Sequence, residues 1–305
     1  MKALITGGAG FIGASLAERL VSDGHDVLVL DNLSTGKPEF IEAIKDNPNF
    51  SFREIDTLKD DITEYFSGVD TVFHFSANRD VRTGADNTKI DLEQNIIATH
   101  NVLEAMRKKS VGKIIFASTS AVYGNAETPT KETHHLSPIS LYGASKASCE
   151  ALITAYSHTF GIDYCILRMA NIIGPKSDHG VVPDFISKLK KNPKRLEILG
   201  DGNQTKSYLY IDDCVDGIMG CSQRRNKIFN LGSEDRVTVK EIARAVSDAM
   251  SLSPEFTFTG GPQGWKGDVP VMLLDISRAK GVGWKPKLSS GEAVRKTVDG
   301  IVSGI

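Results

Sequence analysis

The stretch Ile5-Thr6-Gly7-Gly8-Ala9-Gly10-Phe11-Ile12-Gly13 decides the fold. The apolar run 2–6 leads into it and reads as a strand, while 11–23 leaves it with apolar residues at helical spacing. Two glycine patterns overlap here, Gly8-x-Gly10-x-x-Gly13 and Gly7-x-x-Gly10-x-x-Gly13. Between a strand and a helix, such glycines let the chain turn tightly and let backbone approach a pyrophosphate without an intervening Cβ. The last glycine allows close helix–strand packing, and the free N–H groups at the helix N-terminus face the phosphates. Asp31 ends the next strand, eighteen residues past Gly13. A carboxylate there hydrogen-bonds the adenosine ribose and repels a 2′-phosphate, which selects NAD over NADP.

Outward from this turn, strands are expected at 26–30, 50–54, 71–75, 113–117 and 162–168. They alternate with helices near 37–46, 58–66, 88–109 and 141–160. Repeated β-α units of this length imply an α/β fold, a Rossmann-type doubly wound parallel sheet with helices on both faces. After Gly174-Pro175 the elements shorten, with turns at 200–202, 260–262 and 284–286. The expected organisation is an NAD-binding domain over 1–170, to which 210–232 return. A smaller C-terminal substrate-binding lobe takes 171–209 and 233–305.

The 305 residues are 40% hydrophobic, enough for a large core, and the net charge of −2 offers no argument for nucleic acid or a membrane surface. Cys149, Cys165, Cys214 and Cys221 form no CxxC pair and no metal-ligand spacing with histidine, so reduced thiols and no metal are expected. No signal-peptide pattern and no apolar run of about 18 residues is present, which suggests a cytoplasmic protein.

Tyr142 and Lys146 lie four apart in a helical stretch and share one face. A free tyrosine has a pKa of about 10 and is a poor base at neutral pH. A neighbouring ammonium and a cationic nicotinamide both favour phenolate, and the lysine can also anchor the nicotinamide ribose. Ser118-Thr119-Ser120 follows the strand 113–117, at the sheet edge where open α/β folds bind ligands. A hydroxyl there can hold the reacting oxygen and relay its proton.

Together these segments resemble the extended short-chain dehydrogenase/reductase superfamily, in its NAD-dependent sugar-nucleotide epimerase/dehydratase branch. The likeness is strongest to UDP-glucose 4-epimerases of the archaeal and bacterial type. It runs through TGGAGFIG, DNLSTG, VFHFSAN, FASTSAVYG, YGASK, LRMANIIGP, GDGNQTKSYLYIDD, FNLGS and GWKP. The resemblance implies that Phe11 and Ile12 lie under the pyrophosphate. Asp31 with Asn32, Leu33, Ser34, Thr35 and Gly36 holds the adenosine ribose, and Asp56 and Thr57 flank the adenine. Phe75, Ser76 and Ala77 line the cofactor, with Asn95 and Ser118 reaching it. Thr119, Tyr142 and Lys146 match the catalytic triad. Arg79 faces the cofactor, and Asn171 the sugar nucleotide.

The implied activity is C4 epimerisation of a UDP-hexose with tightly bound NAD, interconverting UDP-glucose and UDP-galactose. Related dehydratases and decarboxylases carry a Glu two residues before the Tyr of the VYG motif, often with an Asp beside it; Ala121 and Ser120 stand there. A 4-keto sugar reductase or dehydrogenase shares the triad, whereas a non-enzymatic NAD-binding protein would be expected to lose Tyr142 or Lys146. Two departures concern substrate. Where relatives grip the diphosphate with Arg, this chain has Lys206 and Trp265, with Asp268 retained. Lys206 keeps the charge but not the bidentate fork, and Arg79, Arg82 or Lys266 could compensate. Met272 stands where epimerases vary between a bulky aromatic and a small residue, which suggests tolerance of N-acetyl sugars. Relatives dimerise through two long helices, so a homodimer is expected through 88–109 and 141–160, where Ala144, Ala147, Ala151 and Ala155 permit close approach.

Overall fold

The computed structural model describes residues 1–81 and 83–304, so Arg82 lies outside the described residues. The strands are β1 (Lys2–Thr6), β2 (Asp26–Asp31), β3 (Phe50–Glu54), β4 (Thr71–His74), β5 (Lys113–Thr119), β6 (Asp163–Met169) and β7 (Asn171–Ile173). Then follow β8 (Arg195–Ile198), β9 (Thr205–Lys206), β10 (Tyr208–Tyr210), β11 (Lys227–Leu231), β12 (Val237–Thr238), β13 (Glu255–Phe258) and β14 (Val271–Met272). The helices are α1 (Phe11–Ser22), α2 (Thr83–Asp86), α3 (Thr88–Asp91), α4 (Ala98–Lys109) and α5 (Leu141–Phe160). Beyond them lie α6 (Val181–Lys191), α7 (Ile211–Ser222), α8 (Val239–Ala249), α9 (Ser277–Lys280) and α10 (Ser290–Ser303).

Seven parallel strands form the main sheet in the order β11-β6-β5-β4-β1-β2-β3. The central strands are apolar on both faces because helices cover both. In β1, Ala3 and Ile5 enter one core cluster and Leu4 the other, as the two-residue period of a strand requires. Chain order reverses between β1 and β4. The C-terminal end of β1, with its glycine turn, therefore sits between the ends of β2 and β4, where such sheets open a ligand crevice. Residues 211–231 supply α7 and then β11, which pairs with β6 at the sheet edge. The remaining C-terminal segments form small sheets, β10 with β7, β12-β9-β14, and β13 with β8. The four cysteines are buried and free. Among the described residues no helix is long and apolar enough to cross a membrane.

Three expected helices differ. Over 37–46 there are two 3-10 turns, Pro38–Phe40 and Glu42–Ile44, with only Ile41 and Ile44 buried. So little apolar burial does not offset the cost of nucleating an α-helix. Over 58–66 only Thr63–Phe66 is helical, as a 3-10 turn. Side-chain oxygens of Asp56, Asp60 and Asp61 accept from the amides of Leu58, Asp56 and Thr63, drawing the backbone into local turns. The segment 88–109 is helical but not uniformly α: Leu92–Ile97 forms a π-helix between α3 and α4.

Candidate active site

The glycine turn is closed by contacts that exclude side chains. Gly7 has φ +70, and a Cβ there would lie 2.6 Å from the Ser76 nitrogen. A Cβ on Gly13 would lie 2.3 Å from the Gly7 carbonyl oxygen. Gly10 is the N-cap of α1 and offers no side-chain cap, so the leading amides of the helix keep their capacity for an anion. Asp31 is 7% exposed; it accepts from the Ala9 amide at 3.0 Å and the Leu33 amide at 2.9 Å. Burial raises its pKa, while these amides and that of Gly10 oppose the rise. Its carboxylate thus ties the glycine turn to the following loop, where Leu33 has φ +55 and Gly36 passes within the space a Cβ would need. Asn32 Oδ1 folds that loop by accepting from the Ser34 amide at 3.1 Å and hydroxyl at 2.7 Å, leaving Thr35 exposed. Burial opposes ionisation of Asp56, but the Leu58 amide, Asn32 and Lys59 hold it below the usual carboxylate range. Thr57 is buried beside it, its carbonyl taken by Asn101 at 3.0 Å. Phe75, Ser76 and Ala77 continue β4 as a half-buried lip across the turn. A buried carboxylate beside an uncapped, glycine-rich turn fits a dinucleotide with a free ribose.

At the end of β5, Thr119 Oγ1 caps a 3-10 turn, Ser120–Tyr123, by accepting from the Ala121 amide at 3.2 Å. That turn presses on the start of α5, for a Cβ on Gly143 would lie 2.6 Å from the Ala121 oxygen. Ser140 N-caps α5, accepting from the Gly143 amide at 3.1 Å. The packing places the Tyr142 phenol in hydrogen-bonding reach of Thr119. Burial pushes Tyr142 up to about 12; Thr119 pulls it back, whereas Asp91 and Cys149 push it further. Lys146 is 3% exposed, donates to the Ala117 carbonyl at 2.9 Å and lies 4.7 Å from the centre of the Phe116 ring. Burial pushes its ammonium down to about 8.

Behind this pair is a polar chain that the motifs did not reveal. Asn95 lies in the π segment, 1% exposed, and donates to Ser145 Oγ at 2.7 Å and to Asp91 Oδ1 at 3.2 Å. Ser145 in turn donates to the Tyr142 carbonyl at 2.8 Å, and Asn95 Oδ1 accepts from the Asn78 amide at 2.8 Å. Asp91 is 2% exposed; Asn78 satisfies one oxygen at 2.9 Å while Oδ2 has no hydrogen-bond partner among the described residues. Ser145 and Cys149 follow Tyr142 by three and seven residues, so helical spacing alone could have placed them on its face. Ser118 differs from expectation in its hydroxyl, which donates to Glu150 rather than facing the crevice. Glu150 pairs with Arg168 at 2.6 Å, and Arg168 also donates to the Tyr123 hydroxyl at 2.9 Å, a buried cluster joining α5 to β6.

The substrate candidates gather at the small three-stranded sheet. Lys206 pairs in register with Met272 across β9 and β14, and its ammonium meets Asp268 and lies 4.9 Å from the Trp265 ring centre. Asn171 donates to the Ser207 carbonyl at 3.1 Å. Met272 is 8% exposed and packs in the core. Gly267, beside Asp268, approaches the Ile139 carbonyl so closely that a Cβ would lie at 3.1 Å, which joins this segment to the start of α5. Arg79 stands apart from this group, bidentate on Asp178 at 2.6 and 3.2 Å.

Residues 3–232 match the NAD dependent epimerase/dehydratase family. A putative UDP-glucose 4-epimerase of Methanocaldococcus jannaschii is 36% identical over 304 residues, with 97% of each chain covered. A crystal structure of a UDP-galactose 4-epimerase superposes with a TM-score of 0.89 at 37% identity over 100% of both chains. A UDP-glucuronic acid 4-epimerase from Bacillus cereus, solved with UDP-glucuronic acid and NAD, superposes with a TM-score of 0.92 at 28% identity, again over 100% of both chains.

Proposed function

The chain belongs to the NAD-dependent epimerase/dehydratase family, and from that premise we propose that it is a nucleotide-sugar 4-epimerase interconverting UDP-glucose and UDP-galactose. One observation carries the choice within the family. The turn packed against Tyr142 presents Ser120 and Ala121, so neither of these two positions beside Thr119 supplies an acid that could take a proton from C5. Asp91, the acid behind the pair, is 2% exposed and turned toward Asn78, Asn95 and Gly84.

In this reading the amides of Gly10 to Gly13 hold the pyrophosphate of NAD and Asp31 with its loop holds the adenosine ribose. Asp56 and Thr57 flank the adenine, and Phe75 to Ala77 and Lys146 hold the nicotinamide end, with Asn95 bracing them from behind through Asn78 and Ser145. NAD supplies the acceptor that takes a hydride from C4 and gives it back. Tyr142 removes the C4 hydroxyl proton, and Thr119, whose one hydroxyl proton supports the phenolate beforehand, turns it to the C4 oxygen as charge passes there. Lys146 keeps a positive charge one helical turn behind. Lys206, Asn171 and Asp268 grip the nucleotide end, so the 4-keto sugar can turn without leaving, a use of binding energy remote from the reacting carbon. Once the sugar has turned to show the opposite face of C4, Tyr142 returns the proton to the C4 oxygen. The likeness to a UDP-glucuronic acid epimerase leaves the C6 substituent as a variable of the same site.

The experiment is incubation with UDP-galactose and no added NAD, followed by separation of products. UDP-glucose as the sole product supports the reading; an accumulating 4-keto sugar or a requirement for external reductant sinks it. We propose also that α4 and α5 pair in a homodimer. Leu92 and Ile97 are exposed on the π segment before α4, Leu141 and Phe160 on α5, and Leu136, Ala147, Ala151, Ala155 and His158 line an open depression together with Glu150 and Thr154. A monomer mass by light scattering counts against it.

A further inference from the structure

The segment between β7 and α6 packs against α1 and reaches the loops after β2 and β4. Its root, Gly174, lies so near α1 that a Cβ would be 3.1 Å from the Phe11 ring. Lys176 Nζ reaches Glu18 on α1 at 2.6 Å and the Phe40 carbonyl at 3.1 Å. Asp178 meets cations from two sides. Lys37, in the loop after β2, stands at 3.1 Å, and Arg79, in the loop after β4, makes its two bonds at 2.6 and 3.2 Å. His179 adds a ring nitrogen at 3.3 Å.

Sheet order gives this cluster its meaning. β1 lies between β2 and β4, so its glycine turn lies between the loops that carry Lys37 and Arg79. Neighbouring strands are about 4.8 Å apart, which separates the ends of β2 and β4 by roughly 10 Å. A carboxylate reached from both loops bridges the two sides of the crevice that the turn divides. Lys37 is also fastened below, its amide donating to the Ala9 carbonyl at 2.9 Å. No catalytic step described above uses Asp178.

We propose that Asp178 is a positioning residue for cofactor retention: by holding Lys37 and Arg79 from opposite sides, it fastens residues 174–180 as a strap over the dinucleotide cleft. Lys176 pins the same strap to α1. Burial works against ionisation of Asp178, but Arg79, Lys37 and His179 hold its carboxyl down at about 2, so the clamp stays charged across the working pH range. The inference rests on NAD occupying the cleft.

The test uses holoenzyme purified with its NAD and measures release into an excess of labelled NAD. Asp178→Asn keeps the size of the side chain and removes its charge. Release is expected to quicken about tenfold, the scale of losing a charge-assisted network at a partly exposed site. Salt supplies a readout that a general loosening would not give. Raising ionic strength from about 0.05 M to about 1 M should quicken release from the wild type by screening the same contacts and leave Asp178→Asn nearly flat. Lys176→Met, which frees the other anchor, should quicken release while keeping the salt response due to Asp178. Wild-type release rates in Asp178→Asn, or an undiminished salt response in it, overturn the proposal. A wild type that takes up no NAD overturns the cofactor reading beneath it.

Discussion

Replacing Thr119 with Val should slow turnover about 10- to 100-fold at neutral pH and shift its pH dependence. Tyr142 is pushed up to about 12 by burial. At neutral pH that leaves only a small fraction of the phenol ionised, so every group favouring phenolate acts directly on rate. Thr119 is the side chain in the structure that pulls Tyr142 down. A hydrogen bond to a charged oxygen is worth roughly 1.5–3 kcal/mol, or one to two pK units at about 1.4 kcal/mol each. The acid limb of kcat should therefore move up by about one to two units, with part of the lost rate recovered at high pH. Val also removes the cap on the Ala121 amide at 3.2 Å, which costs roughly 0.5–2 kcal/mol of stability. Thr119→Ser separates the effects, since Ser keeps both the cap and the bond to Tyr142. The assay is kcat against pH for the three proteins, with urea unfolding alongside. An acid limb that stays in place in Thr119→Val, or a Ser variant as slow as the Val variant, refutes the reasoning.

Gly13→Ala should yield protein without NAD, because its Cβ would sit 2.3 Å from the Gly7 oxygen and 2.8 Å from the Gly8 Cα, forcing helix and turn apart. The overpacking should also cost about 1–3 kcal/mol in urea unfolding, whereas Gly24→Ala, at φ +79 in open space, should lose about 1–2 kcal/mol but retain NAD; a Gly13→Ala protein that copurifies with full NAD contradicts this. His74 is buried and bonded to Thr6 at 2.7 Å and Thr99 at 2.9 Å, and burial pushes its pKa from 6.5 to about 3. The unfolded chain binds that proton first, so the stability contribution is full above pH 6.5 and is lost as pH falls toward 3, at about 1.4 kcal/mol per unit. His74→Gln should flatten that part of the stability profile, and an unchanged slope would show that other groups produce it. Met272 should let UDP-N-acetylglucosamine turn over alongside UDP-glucose, since a flexible thioether yields more readily than an aromatic ring. Turnover of UDP-galactose with none of the N-acetyl sugar removes that idea.

The parallel sheet was legible because its signals are local: an apolar run, a glycine turn and a helical stripe, repeated. Tyr142 and Lys146 stood out because a four-residue helical spacing needs no tertiary information. What stayed hidden depends on distant partners. The π segment departs from α geometry around Asn95, which is held between Asp91, Ser145 and Asn78, and apolar periodicity does not encode that. The 3-10 turns at 38–44 and 63–66 followed from poor burial and from aspartates competing for backbone amides. Ser118 was open to better reading: it shares a strand face with Phe116, which packs with Cys149 and Ile153 of α5, so period two already pointed its hydroxyl at that helix.

The most direct measurement follows a label. UDP-galactose carrying deuterium at C4 is incubated with the enzyme, with no NAD added, and the product is read by NMR. UDP-glucose with deuterium retained at C4, formed by the wild type and absent with Tyr142→Phe, is the expected result. Loss of the label to water, an accumulating 4-keto sugar, or a product that has lost its C6 oxygen would contradict C4 epimerisation.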